Sequence, residues 1–142
     1  MAEPDDVAPA DLVDALVQTS FLVMGVLTRV AAEHDMSLTQ LRMLGVLRDH
    51  RPRMAQLAQV LGLDKSTVSG LVERAERRGL LERATSAIDA RVTEVAITPA
   101  GSRLAGEGAE RIRVALEQHT GRLDSRGRRA LVHQLGRLLA GG

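Results

Sequence analysis

The sequence contains no cysteine among its 142 residues, which excludes disulfide bridges, thiolate metal ligands and cysteine redox chemistry. Phe21 is the only aromatic residue, so the chain cannot hold single-stranded nucleic acid by stacking bases on a platform of aromatic rings. The four histidines lack metal-binding spacing, and neither a glycine-rich phosphate loop nor a Gly-x-Ser-x-Gly motif is present. We therefore expect no catalytic residues, no metal site and no cofactor, which argues against an enzyme.

Long apolar runs are also missing. The longest, residues 21–27, is interrupted by Gly25 and is far shorter than the ~20 residues that a membrane span needs. The segment 1–11 is acidic and lacks the apolar centre of a signal peptide. The sequence therefore predicts a cytoplasmic protein without a membrane partner.

The length predicts a single domain over residues 1–142, with enough chain for a real core. Its net charge is only +1, but the charge is unevenly distributed. Residues 1–50 carry three basic and eight acidic side chains, net −5, whereas residues 51–142 carry sixteen basic and ten acidic side chains, net +6. A basic second part suits a polyanionic partner, and a solvated surface of mixed charge is the alternative.

The apolar spacing near the N-terminus predicts a long helix over residues 10–32. Its apolar stripe is too wide for a helix that packs on one side only. The helix is therefore either buried within the domain or covered by a second subunit, and we favour the second subunit. The residues of the stripe are Leu12, Val13, Leu16, Val17, Phe21, Val23, Met24, Leu27 and Val30.

A helix-turn-helix pattern follows. Ser37 and Gln40 have the spacing of a capping box that begins a second helix. A short third helix is predicted over residues 53–61 and stops at Gly62.

Asp64 is a good N-cap for a fourth helix, which ends at Gly79. The i, i+3, i+4, i+7 spacing of its apolar residues turns one face toward the core and leaves a polar face outward. The inward residues are Val68, Leu71, Val72 and Ala75, and the outward residues are Lys65, Ser66, Ser69, Gly70, Glu73, Arg74 and Arg77.

Two strands are predicted next, over residues 80–84 and 92–97, with a charged turn between them. A fifth helix is predicted from Thr98 toward Thr120, and a sixth follows Asp124 with a stripe of leucines. The predicted fold class is mainly α with a small β-wing. It is a winged helix-turn-helix of six helices and a two-stranded hairpin, with room for a short third strand.

The fourth helix and the wing have the composition of a DNA-reading surface. The first residues of such a helix reach base edges in the major groove, which makes Ser66 and Ser69 candidate base readers. Arg91 suits a narrow minor groove, and Asp89 would hold it, or an arginine of the fourth helix, by a charge-assisted bond. An ordinary solvated helix face and an exposed ion pair are the alternatives. Phosphate contacts are predicted for Lys65, Thr67, Arg74 and Arg77.

The chain resembles the MarR family of bacterial transcriptional regulators over residues 10–140. Residues 36–41, MSLTQL, are similar to the family's LTxxQ helix start, and residues 57–83 are similar to its helix-turn-helix. Residues 89–91, DAR, and residues 97–101, ITPAG, are similar to the family's DxR wing motif and the LTxxG start of the fifth helix.

This resemblance implies a homodimer whose N- and C-terminal helices, here residues 10–35 and 102–140, interlock. It implies a winged-helix lobe at residues 36–101 that binds a palindromic operator on double-stranded DNA, and a repressor that a small-molecule effector releases. Gly70 departs from the family, which often has a long side chain there. The glycine either permits close backbone approach to DNA or removes one base contact.

An effector crevice of that kind would be lined by Met24, Leu27, Met36 and Met43, with Phe21 as its only aromatic wall and Arg29 or Arg42 able to meet an acidic group. The alternative is that the methionines are plain core. Two other functions remain open: a metal-responsive DNA-binding regulator that uses His34, and a winged-helix module that binds protein without binding DNA.

Overall fold

The structure is a computed structural model that describes residues 6–141; residues 1–5 and 142, over which the predicted domain also extends, lie outside the described residues. The predicted six helices and two-stranded antiparallel hairpin are confirmed. In chain order the elements are α1 (Pro9–Glu33), α2 (Leu38–Leu47), α3 (Met54–Leu61), α4 (Lys65–Arg77), β1 (Leu81–Thr85), β2 (Thr93–Ile97), α5 (Pro99–Thr120) and α6 (Ser125–Leu139).

Local signals in the sequence set the helix boundaries. The Ser37 hydroxyl accepts from the Gln40 amide at 3.1 Å, and the Gln40 side chain accepts from the Ser37 amide at 2.9 Å, so the predicted capping box is confirmed. Gly62 and Gly79 end α3 and α4 with φ of 67° and 74°, the left-handed conformation that glycine adopts without steric cost. The side chains of Asp64, Thr98 and Asp124 cap α4, α5 and α6.

The hydrophobic core lies mainly in the winged-helix lobe, residues 36–101. The four residues of α4 that were predicted to face inward are all buried, which fixes the opposite face outward. α1 and α5 close the core with Ala31 and Ala105. The largest fully buried side chains are Met43, Leu44, Leu47, Leu57, Val68, Val72 and Val95.

The hairpin differs from the prediction in detail. Both strands begin one residue later than expected, and β1 ends one residue later at Thr85, because Leu81 pairs with Ile97 and Thr85 with Thr93. In place of the short third strand, the structure has a single antiparallel β-bridge, between Arg53 and Glu94 of β2. The Val95 amide donates to the Pro52 carbonyl at 2.8 Å beside it.

The junction between the lobe and α5 is tightly built. The Thr98 amide donates to the Leu80 carbonyl at 3.0 Å, and the Thr98 hydroxyl donates to the Gly79 carbonyl at 2.6 Å. Gly101 passes so close to this point that a Cβ there would collide with the Leu80 carbonyl oxygen. The end of α4, the start of β1 and the start of α5 therefore form one unit.

The two terminal helices leave apolar side chains exposed. In α1, Phe21 is 65% exposed, and none of the residues of α6 is buried. α1 also contains an 18-residue window with mean hydropathy 1.5, of which 6% is buried, so by length and composition alone it could cross a membrane.

Candidate nucleic-acid interface

The first turn of α4 projects from the lobe as an exposed, polar helix end. Lys65, Ser66 and Thr67 are all exposed, whereas Ser69 and Gly70, on the next turn, are half-buried. Between residues 6 and 141, Lys65 forms no ion pair. A free ammonium group and two hydroxyls are thus available at the helix end that a major groove would admit.

Asp64 determines how those hydroxyls can bond. Its carboxylate accepts from the Ser66 hydroxyl at 2.7 Å, from the Thr67 hydroxyl at 2.7 Å and from the Thr67 amide at 2.8 Å. These bonds, that from Ser66 first, lower the pKa of Asp64 to about 2. Because its proton is engaged by Asp64, the Ser66 hydroxyl is presented as an acceptor, suited to the amino groups of cytosine or adenine. Thr67 donates to a phosphate only if its hydroxyl turns away from Asp64.

Gly70 leaves space along α4 that Arg74 uses. A Cβ built at Gly70 would lie 3.5 Å from Arg74 Nη1, so the guanidinium lies over the glycine. Arg74 forms no ion pair to another described side chain, whereas Arg77 lies 3.8 Å from Glu73. Arg74 is therefore free to bind phosphate, and Arg77, whose exposed pair with Glu73 is weak, can exchange that carboxylate for a phosphate.

The wing carries a second cation at its tip. Arg91 Nε and Nη2 donate to the Asp89 carboxylate at 3.2 Å each, and the Arg91 amide donates at 3.0 Å. The Arg91 side chain bond, followed by the amide bond, lowers the pKa of Asp89. The sequence left two possible partners for Asp89, namely Arg91 and an arginine of α4. In the structure its partner is Arg91. The Arg91 side chain is 90% exposed, so it is oriented but not covered.

The tip itself is ordered by a network that the sequence did not indicate. The Ser86 hydroxyl accepts from the Ile88 and Asp89 amides at 3.2 and 3.4 Å, and the Ser86 amide donates to Val92 at 2.9 Å. Ile88 is 98% exposed on this held loop. The S-x-x-D spacing of residues 86–89 was the available signal for this turn.

The residues proposed for an effector site are only partly brought together. Met24 and Leu27 line a cavity of about 430 Å³ between α1, α2 and α5. Arg29 lines a separate cavity of about 240 Å³ between α1 and α5. Met43 is fully buried in the core and lines neither, because it lies on the inner side of α2. Arg42 does line the larger cavity, together with Arg48, which the sequence did not indicate.

His34 was the residue on which a metal-responsive function depended. Its Nδ1 lies 2.9 Å from the Val30 carbonyl, and its Nε2 lies 3.8 Å from Glu107. Within the described part of the chain, no group of three or more His, Cys, Asp or Glu side chains is placed to hold a metal ion. The geometry therefore gives no support to that alternative.

These features define a class of protein: a winged helix-turn-helix protein whose α4 and wing present a cationic, hydrogen-bonding surface. Residues 34–91 match the family model described as MarR family. No functionally curated protein matches the sequence.

Solved structures extend the likeness to nearly the whole chain. A MarR family protein from Bacillus stearothermophilus has a TM-score of 0.82 at 20% identity, covering 93% of each chain. RV1404 from Mycobacterium tuberculosis has a TM-score of 0.78 at 24% identity, covering 96% of each chain. CouR from Rhodococcus jostii RHA1, solved bound to p-coumaroyl-CoA, has a TM-score of 0.75 at 23% identity, covering 91% of this chain and 89% of CouR.

The predicted resemblance to the MarR family is thereby confirmed, by the family model over most of the lobe and by the fold over nearly the whole chain. The chain has the fold of a MarR family transcription regulator.

Proposed function

We propose that this chain is a cytoplasmic transcriptional repressor that binds a palindromic operator as a homodimer and has no enzymatic activity. α4 enters the major groove, with Ser66 and Ser69 at base edges and Lys65, Thr67, Arg74 and Arg77 at phosphates. Gly70 lets the helix backbone approach the DNA once Arg74, whose guanidinium lies over it, turns to a phosphate. Arg91 enters the minor groove while Asp89 holds its guanidinium. The observation that carries this proposal is the pairing of a capped, cationic helix end with a bidentately held arginine on an ordered wing.

The terminal helices support the proposed dimer, because a lone chain leaves their apolar side chains in water. We propose that residues 10–35 and 102–140 form this dimer while residues 36–101 bind DNA, within one domain over residues 1–142. Burying a large apolar side chain contributes about 1.5–3 kcal/mol. Burial of the exposed apolar side chains of these helices would therefore be enough to hold two chains together. The most exposed large apolar residues of these helices are Leu12, Val13, Phe21, Val114, Val132, Leu138 and Leu139.

The test of DNA binding is selection of duplexes from a random pool by the purified protein. We expect inverted repeats whose half-site centres lie about 10–10.5 base pairs apart, one turn of DNA. Arg74→Gln should weaken binding to the selected site, whereas Arg103→Gln, which removes the same charge from α5, should not. Failure to enrich any duplex over the starting pool would refute the proposal.

We also propose that a small-molecule effector binds in the cavity between α1, α2 and α5 and releases the DNA. The cavity joins Met24 and Leu27 of the dimerising helix to α2 of the lobe, so an occupant contacts both parts. A repressor role is tested with a reporter gene placed behind the selected site. Expression should fall when the chain is produced, and a rise would identify an activator instead.

A further inference from the structure

The cavity between α1, α2 and α5 has a distinct chemistry. Its walls are aliphatic, and its lining includes no carboxylate and no aromatic ring. Two arginines are its only charged residues. Its lining is Met24, Leu27, Leu38, Leu41, Arg42, Gly45, Arg48, Ala105, Ala109 and Ile112. Such a site suits an anion with an aliphatic body, because side chains without rings offer no face for stacking and methionine adapts to flexible chains.

Arg42 links this cavity to the helix that precedes α4. Its Nη2 donates to the Val60 carbonyl at 3.0 Å, and its Nη1 donates to the Leu61 carbonyl at 3.4 Å. These are the last two carbonyls of α3. The Gly62 and Leu63 amides return instead to Gln59 and Ala58. Arg42 therefore caps the C-terminus of α3, where a cation is also favoured by the helix dipole.

The position of this cap matters because α3 and α4 are joined by only three residues. Gly62 takes a left-handed conformation, Leu63 follows, and Asp64 is already the N-cap of α4. A change at the last carbonyls of α3 thus reaches the start of α4 directly. Arg48, the other cation of the cavity, forms no ion pair or side-chain hydrogen bond with the described residues, so it is free to attract an anion without disturbing the lobe.

We propose that the cavity binds an aliphatic carboxylate, and that Arg42 couples its occupancy to DNA release by leaving the α3 carbonyls for the ligand. The inference rests on the proposed function and names the ligand class and the coupling residue. A guanidinium fork matches a carboxylate with two parallel bonds, which are stronger than bonds to neutral carbonyls. Once Arg42 moves, the α3–α4 turn loses its cap and α4 loses its fixed orientation.

The ligand class is tested by calorimetric titration of the full chain with hexanoate, heptanoate and octanoate. Affinity should rise about fourfold with each methylene, as expected for burial of a CH₂ group. Octan-1-ol and octyltrimethylammonium carry the same chain with a neutral or a cationic head and should bind at least tenfold more weakly than octanoate. Equal binding of octanol and octanoate, or no binding of octanoate, would overturn the ligand assignment.

The coupling is tested by the ratio of operator affinities without and with saturating octanoate. Wild type should show a ratio within the roughly 5–150-fold range usual for coupled sites. Arg42→Met should bring the ratio to about one, and Arg42→Lys, which keeps the charge without the fork, should give an intermediate ratio. Arg48→Met should weaken octanoate binding yet keep the wild-type ratio at saturation, and Arg103→Met should change neither quantity.

Amide exchange gives a readout that needs neither DNA nor a substitution. Octanoate should speed exchange at Gly62 and Leu63, whose amides close the α3 turn, and leave Val95 in the core unchanged. An unaltered exchange rate at both residues, or a full ratio in Arg42→Met, would overturn the role of Arg42. If wild type selects no duplex, the proposed function fails while the titration and exchange results still decide the ligand and the movement.

Discussion

The winged-helix lobe and the terminal helices solve the same problem of burying apolar side chains in opposite ways. In the lobe, Leu57, Val68 and Val72 are completely enclosed by neighbouring elements of the same chain. In α6, Leu131, Leu135 and Leu138 remain 47%, 37% and 53% exposed. The lobe therefore buries its apolar side chains within one chain, whereas the terminal helices leave exposed the apolar side chains that the proposed dimer would cover.

The largest effect is expected when charge is placed on the apolar side of α6, which tests whether a second subunit covers it. Leu131→Asp with Leu135→Asp should raise the dimer dissociation constant at least about 100-fold, because each chain loses two leucines that the proposed dimer would bury. Sedimentation at several concentrations measures the change. His133→Asp adds the same charge about 200° around the helix from Leu131 and should leave the dimer intact. A double variant that sediments as wild type would show that α6 does not form the interface.

The loss of stability caused by truncating a core side chain of the lobe should not depend on dimerisation. Leu57→Ala should lower the free energy of unfolding by about 2–5 kcal/mol, because Leu57 is fully buried and its removal leaves a cavity. Urea unfolding at two protein concentrations measures this loss, which should be the same at both. Leu138→Ala in α6 is the matched leucine truncation, and its cost should instead depend on protein concentration. A concentration-independent loss in both variants would erase the distinction between the two regions.

The wing tip belongs neither to the core of the lobe nor to the terminal helices, so a substitution there tests DNA binding apart from stability and dimerisation. Arg91→Ala should weaken specific operator binding by about 1–3 kcal/mol at matched salt while dimer and stability stay unchanged. Arg103→Ala removes an equal charge from α5 and serves as the control in the same shift assay. An unchanged operator affinity in Arg91→Ala would remove the proposed minor-groove contact.

The smallest effect is expected at the first turn of α4 and depends on pH. Because the pKa of Asp64 is lowered from 3.8 to about 2 in the folded chain, its charged form stabilises the fold above pH 3.8. That contribution is lost as pH falls from 3.8 toward 2. The melting temperature of wild type should therefore exceed that of Asp64→Asn at neutral pH, and the gap should close over this window. A gap that stays constant down to pH 2 would contradict the role of the carboxylate.

The sequence predicts well what neighbouring residues decide. Ser37, Asp64 and Thr98 cap helices through bonds to the amide three residues later. Gly62 and Gly79 end helices through their own left-handed conformation. Each of these helix boundaries could therefore be predicted from a few neighbouring residues. The helical period also identified the buried face of α4 correctly. These signals were enough for the order of elements and for the outward face of α4.

Contacts between distant residues could not be read in this way. Arg42 caps α3 from 18 and 19 residues away, and Arg78 donates to the carbonyls of His34 and Asp35 more than 40 residues away. Met43 lies in the core and does not line the cavity, and the sequence could not show which side of α2 faces the cavity because Met43 and Leu44 are both buried. Such details depend on how the helices pack against one another.

The tight junction at Gly101 makes α5 act as a lever that moves the lobe. Since α5 has 22 residues, it is about 33 Å long. A tilt of roughly 5° at one end displaces the other by about 3 Å over that length. Because Thr98 and Gly101 fasten its first turn to the end of α4 and the start of β1, the lobe would swing with the helix instead of bending away from it. In the proposed dimer, the two lobes match grooves about 34 Å apart, and they would then lose their spacing through a movement too small to disturb either core.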